Sequence, residues 1–159
     1  MKILLLSFAL LFCSTTLLFA KGAEDYNLTP QKTLPTSPSY VFKRLNEKTG
    51  MIFKFSQKSK YSYSLVLLDK RLSELATLVN DKNPDLIVSS SQRFSYQAGT
   101  TTNINSKLKE KQNVILNFLF NRYGKILTEL RDNYPSNTTN WLLMSQNIDT
   151  LNILLAEMK

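Results

Sequence analysis

The feature that most constrains the fold is an unbroken series of apolar residues at helical spacing between positions 57 and 80. Intervals of three and four residues alternate along it, which places these side chains on one stripe of an α-helix. The stripe consists of Tyr61, Leu65, Leu68, Leu72, Leu75 and Val79. Ser56 is a suitable N-cap, and Asn83-Pro84 ends the helix. An isolated apolar stripe is not stable in water, so the pattern predicts other helices that cover it.

A second regular stripe lies near the C-terminus, after the helix-breaking sequence "YPSNTTN". Its members are Trp141, Met144, Ile148, Leu151, Leu155 and Met158, with intervals of three and four residues. Another helix is predicted from about residue 107 to 133, with inward residues Ile115, Leu119, Tyr123, Ile126 and Leu130. Short connections between such helices favour antiparallel neighbours, so the predicted fold is an all-α, up-and-down bundle of four to five helices.

Two further segments complete the predicted bundle. A first helix begins near Pro38, with Thr36 or Ser37 as its N-cap, and stops near Phe53. Its inward face is predicted to contain Tyr40, Leu45, Thr49, Ile52 and Phe53. The segment 85–98 suits either a helix or a strand, because Ile87, Val88 and a serine run favour extended structure. Residues 99–106 are predicted to form a loop.

The N-terminal segment has the pattern of an export signal. One lysine precedes an apolar run that continues to Ala20 without a charge. The run is almost long enough to span a bilayer, so residues 1–20 are a signal peptide or an uncleaved anchor. Residues 21–37 are predicted to be a polar linker, and residues 38–159 a single helical-bundle domain. We therefore expect an exported, extracytoplasmic protein that is periplasmic, secreted or anchored.

Positive charge is concentrated at the start of the predicted domain. The whole chain has a formal charge of +8, and residues 38–60 have six basic residues against Glu47, a net charge of +5. The six are Lys43, Arg44, Lys48, Lys54, Lys58 and Lys60. They could form an edge that faces an anionic membrane or cell-wall polymer, or simply a solvated helix face, which we favour. Nucleic acid is an unlikely partner for an exported chain that has no nucleic-acid-binding motif.

The chain lacks the residues of most catalytic and metal sites. It contains no histidine, its one cysteine is Cys13 within the signal, and four dispersed glycines form no phosphate-binding loop. A Ser106–Lys109 pair has the S-x-x-K spacing but none of the accompanying motifs. We therefore expect no enzyme, no cofactor and no metal site.

Residues 34–80 resemble a bacterial exported family known as domain of unknown function 5667. The resemblance rests on Ser37, Pro38, Tyr40, Lys43, Arg44 and Glu47, then Phe53 or Phe55 with Lys58, and finally Arg71, Leu72 and Glu74. It implies a helical, extracytoplasmic or membrane-tethered protein without a known reaction, and it brings no functional residues. Beyond residue 80 the chain matches only as generic helix.

Counting residues from the turn at 54–56 predicts how the first two helices face each other. Tyr40 and Arg71 lie about equally far from this turn, at 1.5 Å per residue, and are predicted to form a structural pair. The Tyr40 ring would cover the stem of Arg71. The same counting places Glu47 opposite Tyr63, too far from Arg71 for a direct pair. The charges of Lys43 and Arg44 are expected in solvent.

Two functions remain open at this stage. The first is a non-enzymatic interaction or envelope-associated module with an unknown protein or envelope partner. The second is an ATP-independent periplasmic chaperone that binds unfolded clients, which requires an apolar face that stays exposed after folding. The sequence "LTPQK" at residues 28–32 resembles the Leu-Thr-x-x-Gln motif of small helical periplasmic chaperones, although Lys32 stands where glutamine is expected.

Overall fold

The computed structural model describes residues 21–158 and contains five α-helices in that range. They are α1 (Tyr40–Ile52), α2 (Gln57–Asn80), α3 (Pro84–Ser106), α4 (Asn113–Arg131) and α5 (Thr139–Glu157). The predicted all-α bundle is confirmed, with α2, α3, α5 and α4 packed around one core. The helix α1 lies apart and packs on α2. The predicted signal or anchor, residues 1–20, lies outside the described residues.

The central helix is α2, which is buried on two sides. Its predicted stripe faces the core, where Leu68, Leu72 and Leu75 are completely buried. A second buried row, also with intervals of three and four residues, contains Ser64, Leu67, Arg71, Glu74 and Leu78. The Ser56 side chain caps the helix and accepts a hydrogen bond from the Ser59 N–H at 3.0 Å, as predicted. The two buried rows explain why α2 contacts both α1 and the bundle.

The helix α3 continues through residues 99–106, so the predicted loop there is wrong and the segment 85–98 is helix. The polar sequence misled the prediction because its threonines satisfy themselves within the helix. The Thr101 and Thr102 hydroxyls donate to the carbonyls of Gln97 and Ala98, at 2.8 and 3.1 Å. Both threonines and Asn105 are buried against the bundle. Tertiary packing therefore extends this helix beyond its apolar part.

The helix α4 begins at Asn113, six residues later than predicted, because the preceding turn is held by a buried side chain. The Asn105 Oδ1 atom accepts from the Gln112 N–H at 2.8 Å, and its Nδ2 donates to Asn113 Oδ1 at 2.7 Å. The predicted inward residues Tyr123, Ile126 and Leu130 are buried, whereas Ile115 is about half exposed.

The segment 21–37 packs on the bundle, in contrast to the linker that the sequence predicts. Ala23, Tyr26 and Leu28 belong to the hydrophobic core. The Arg122 guanidinium donates to the carbonyl of Tyr26 at 2.8 Å, and the Ser73 hydroxyl donates to that of Thr29 at 2.7 Å. The segment has no apolar period because it forms only a single 3₁₀ turn, Glu24–Tyr26, and its few apolar side chains fill gaps on the bundle.

The helix α1 buries Tyr40 as predicted, but its other predicted inward apolar residues face outward. Its buried residues are Tyr40 and Glu47, while Leu45, Ile52 and Phe53 point to solvent. Close packing on α2 is possible because position 50 is a glycine. A Cβ atom on Gly50 would lie 2.6 Å from the Tyr63 hydroxyl. No helix within residues 21–158 has both the length and the apolar character needed to cross a membrane.

Candidate functional site

Four ionic side chains meet between α1 and α2, and we call Lys43, Glu47, Arg71 and Glu74 the buried charge cluster. Arg71 and Glu74 are 1% and 0% exposed. Arg71 donates to Glu74 Oε1 at 2.7 Å and also forms an ion pair with Glu47. Lys43 donates to the same Glu74 oxygen at 2.8 Å, and Tyr40 donates to the other at 3.0 Å. Glu74 is thus the common acceptor that joins the two helices.

The cluster corrects two sequence predictions about charged residues. Glu47 does pair with Arg71, although Tyr63 also lies opposite Glu47 as predicted and donates to its carbonyl at 3.5 Å. Residue counting gives only the position of each Cα atom along the helix axis. Long arginine and glutamate side chains extend along the helices and can meet from different positions. Lys43 is not in solvent either, because it also donates to the Gln31 side chain and the Thr33 carbonyl.

Tyr40 and Arg71 are brought together through Glu74. Each donates a hydrogen bond to one oxygen of that carboxylate. The Tyr40 ring itself faces two other cations, with Arg93 at 5.4 Å and Lys43 at 5.6 Å from its centre. The ring therefore closes one side of the buried charge cluster and shields it from water.

The other predicted basic-edge residues lie at the surface. Arg44 is partly buried, with its guanidinium 3.6 Å from Glu47. Lys48, Lys54, Lys58 and Lys60 lie around the turn between α1 and α2, and none forms an ion pair with another described residue. The Lys54 ammonium lies 5.5 Å from the centre of the Tyr63 ring. The structure thus divides the predicted edge into an internal Lys43 and a set of surface lysines.

In the buried charge cluster, the pKa shifts of Arg71 and Glu74 both favour the ionised form. Burial by itself would raise the pKa of Glu74, but the charges and hydrogen bonds of Arg71 and Lys43 outweigh it, so the pKa is lowered. Burial opposes the charge of Arg71 in the same way, yet Glu74 and Glu47 raise its pKa. Burial, with the adjacent Glu74 charge, raises the pKa of Tyr40 to about 12. Opposite charges in mutual contact hold the two helices together.

The lowered pKa of Glu74 predicts acid-sensitive stability. A carboxylate whose pKa is lower in the folded state stabilises the fold above its unfolded pKa, about 4.3, and this contribution disappears as the pH falls through the lower folded value. We expect the difference in unfolding free energy between the parent and Glu74→Gln to be large at about pH 7 and to shrink as the pH is lowered toward about 3. Urea unfolding at several pH values measures it. A difference that is independent of pH would show that Glu74 does not act through its charge.

The outward side of α1 is apolar, and we call Val41, Phe42, Leu45, Ile52 and Phe53 the apolar face. Their side chains are between 58% and 75% exposed. Phe55, in the turn that follows, is 91% exposed. The opposite side of the helix buries Tyr40, Lys43 and Glu47 against α2. A helix that only supports a core buries its apolar side and exposes its polar side, and α1 does the opposite.

The model of the family described as domain of unknown function (DUF5667) matches residues 32–135. The chain belongs to the DUF5667 family. The match extends beyond the residues that carry the sequence resemblance and includes α3 and α4. No curated protein and no solved structure matches the chain. Five residues of the DUF5667 resemblance lie in or against the buried charge cluster. They are Tyr40, Lys43, Glu47, Arg71 and Glu74.

Sequence reasoning missed the polar attachment of α1, although a signal for it exists. Tyr40, Lys43, Glu47 and Gly50 follow each other at intervals of three, four and three residues, the spacing of a buried helical row. Apolar periodicity does not reveal this row, because Lys43 and Glu47 are charged. A polar row of this spacing beside Arg71 and Glu74 of a buried helix would have indicated the cluster in this DUF5667 protein.

Proposed function

We propose that this DUF5667 protein is a non-enzymatic, extracytoplasmic module of the bacterial envelope that docks on an anionic membrane surface through α1. The observation that carries the proposal is the reversed orientation of this helix. It buries its polar side in the charge cluster and presents its apolar face outward. Isolated exposed apolar residues are common, but several large ones on the same side of one helix are typical of a docking surface.

The charges around the apolar face fit a lipid surface better than a protein groove. Lys48, Lys54, Lys58 and Lys60 surround its C-terminal end, where Phe55 also projects into solvent. A helix with aromatic residues on one face and flanking lysines lies in the interface of a bilayer, with the apolar side chains among the lipid chains. Each lysine near an anionic membrane contributes about 1 kcal/mol of attraction. The export signal expected at residues 1–20 would place the protein beside such a membrane.

Vesicle binding by the chain that begins at Lys21 tests the proposal. Within residues 21–158 the hydrophobic core begins at Ala23, so we expect this chain to keep the fold. We expect sedimentation with vesicles of phosphatidylglycerol and little sedimentation with phosphatidylcholine. Phe53→Ser with Phe55→Ser should weaken binding at least about tenfold, since burying each ring is worth about 1.5–3 kcal/mol. The matched control is Val114→Ser with Phe118→Ser, two exposed apolar residues of α4.

Charge reversal provides a separate test. Lys54→Glu with Lys58→Glu should leave the melting temperature nearly unchanged and weaken binding to phosphatidylglycerol vesicles at moderate salt by at least about tenfold. The corresponding control is Lys82→Glu with Lys125→Glu, two exposed residues in the α2–α3 turn and in α4. Binding that is the same on neutral vesicles, or that is lost equally in the control variants, would contradict membrane docking.

A chaperone is the second candidate, favoured by the same exposed apolar face. Such a face could hold an unfolded client, and the lysines would then be unimportant. Near-stoichiometric suppression of client aggregation that requires Phe53 and Phe55, without binding to anionic vesicles, would support the chaperone and refute membrane docking.

A further inference from the structure

A cleft of about 740 Å³ is lined by residues of α1, α2 and α3. This volume lies within the range of small-molecule sites, about 300–1,000 Å³. The cleft exists because α1 contacts the bundle along its polar side only, which leaves space between its C-terminal half and α3. The lining shares Lys48, Ile52 and Lys60 with the proposed membrane contact but includes neither Phe53 nor Phe55, so the two sites overlap only in part.

One part of the cleft is apolar. Its apolar side chains come from all three helices and are Met51, Ile52, Leu67, Tyr96 and Ile104. Leu67 is buried at the base, whereas Tyr96 is 76% exposed. A surface of this kind, open at one side, favours a flexible hydrocarbon chain over a rigid polar molecule.

The remaining lining is strongly basic. Arg44, Lys48, Lys60, Arg71 and Arg93 are present with Glu47 as the single carboxylate, a net charge of +4. Arg71 is already paired inside the buried charge cluster. The other cations attract an anionic group, and the two arginines can present several N–H donors to a phosphate.

Two buried polar atoms of the lining have no hydrogen-bond partner among residues 21–158. They are the Nε–H donor of Arg93 and the Oε1 acceptor of Glu47. The Arg93 Nη2 atom is occupied by the Ser90 hydroxyl at 2.8 Å, which orients the guanidinium. Neither atom is accessible to solvent, so an anion in the cleft meets Arg93 through its terminal guanidinium nitrogens.

From this combination we propose that the cleft binds a single-chain anionic amphiphile. The chain lies on the apolar lining, and the anionic group lies against Arg93 and the lysines. A lysophospholipid with an anionic head has this chemistry. The inference goes beyond membrane docking, because it concerns one molecule held inside the protein.

Titration calorimetry on the chain from Lys21 tests the proposal, with probes kept below their micelle concentrations. Lysophosphatidylglycerol should bind with one-to-one stoichiometry. Lysophosphatidylcholine with the same chain shares the glycerol hydroxyl but has no net charge, and it should bind at least about tenfold more weakly. Glycerol 3-phosphate, which lacks the chain, should not bind at the same concentrations. Equal binding of either comparison probe would overturn the proposal.

Variants locate the site. Lys48→Glu with Lys60→Glu should weaken lysophosphatidylglycerol binding at least about tenfold, and Thr100→Trp, which fills the cleft, should abolish it. Lys107→Glu with Lys109→Glu changes a different cleft, near the α3–α4 turn, and should have no effect. If Thr100→Trp does not fold, as judged by its thermal melt, the lysine variant decides. Unchanged affinity in that variant would refute the proposal.

The proposals of membrane docking and of ligand binding in the cleft can be refuted separately. The variant Phe53→Ser with Phe55→Ser should lose vesicle binding but bind lysophosphatidylglycerol as the parent does, because neither ring lines the cleft. If this variant loses the monomeric lipid as well, the probe binds on the apolar face and the cleft site is refuted.

Discussion

Replacing Arg71 with methionine is expected to lower the free energy of unfolding by about 3–5 kcal/mol. Methionine has similar bulk, so the effect is not a cavity. It removes the cation that lies between two buried carboxylates, Glu47 and Glu74, and leaves them with Lys43 and Arg44 as their cationic partners within residues 21–158. Urea unfolding monitored by circular dichroism measures the change.

Two comparisons separate charge from packing in this experiment. Lys125→Met, on the exposed side of α4, should change the unfolding free energy by no more than about 0.5 kcal/mol. Adding Glu47→Gln and Glu74→Gln to Arg71→Met should recover part of the loss, because no buried carboxylate is then left without Arg71. Lys43 stays charged, but it keeps the Gln31 and Thr33 oxygens as acceptors. If the triple variant is less stable than Arg71→Met alone, the buried charge cluster stabilises the fold by its hydrogen bonds rather than by charge compensation.

Replacing Leu72 with aspartate is expected to have an effect of similar size, about 3–5 kcal/mol, or to prevent folding. Leu72 is completely buried in the core, and the substitution replaces an apolar contact with an unpaired charge. Val66→Asp is the matched control, because Val66 lies on the same helix and is 50% exposed. Thermal melts monitored by circular dichroism measure both. A Leu72→Asp melting temperature within about two degrees of the parent would contradict the assignment of this stripe to the core.

The stripes at residues 61–79 and 141–158 were predictable because local periodicity alone specifies one face of each helix. In α5 the structure buries Met144 and Leu151, and Trp141 packs partly buried under the Arg131 guanidinium, 5.3 Å from its ring. For a long helix with a regular apolar stripe, no other arrangement buries as much apolar surface as packing that stripe against a core. The all-α fold was predicted from such local patterns, whereas the family was predicted from the resemblance of residues 34–80.

Polar positions inside the bundle were not predictable by the same reasoning. Thr101 and Asn105 are buried because another helix lies against them, and nothing in their local sequence distinguishes them from a loop. Asn147 of α5 is buried in the same way and is held by Ser91 and Ser95, at 2.8 and 2.5 Å. Hydrogen bonds between residues about fifty positions apart have no periodic signal.

Three properties were predictable from the amino-acid sequence without a structure. They are the helices, the stripes of α2 and α5 that face a core, and the concentration of basic residues at 38–60. Those properties depend on spacing and composition along a short stretch of chain. The side of α1 that faces inward depends on tertiary packing. Burial of Tyr40, Lys43 and Glu47 requires partners from the neighbouring helix, and these are Arg71 and Glu74. A charged side chain is stable inside a protein only where an opposite charge meets it, and that partner is fixed by packing rather than by local sequence.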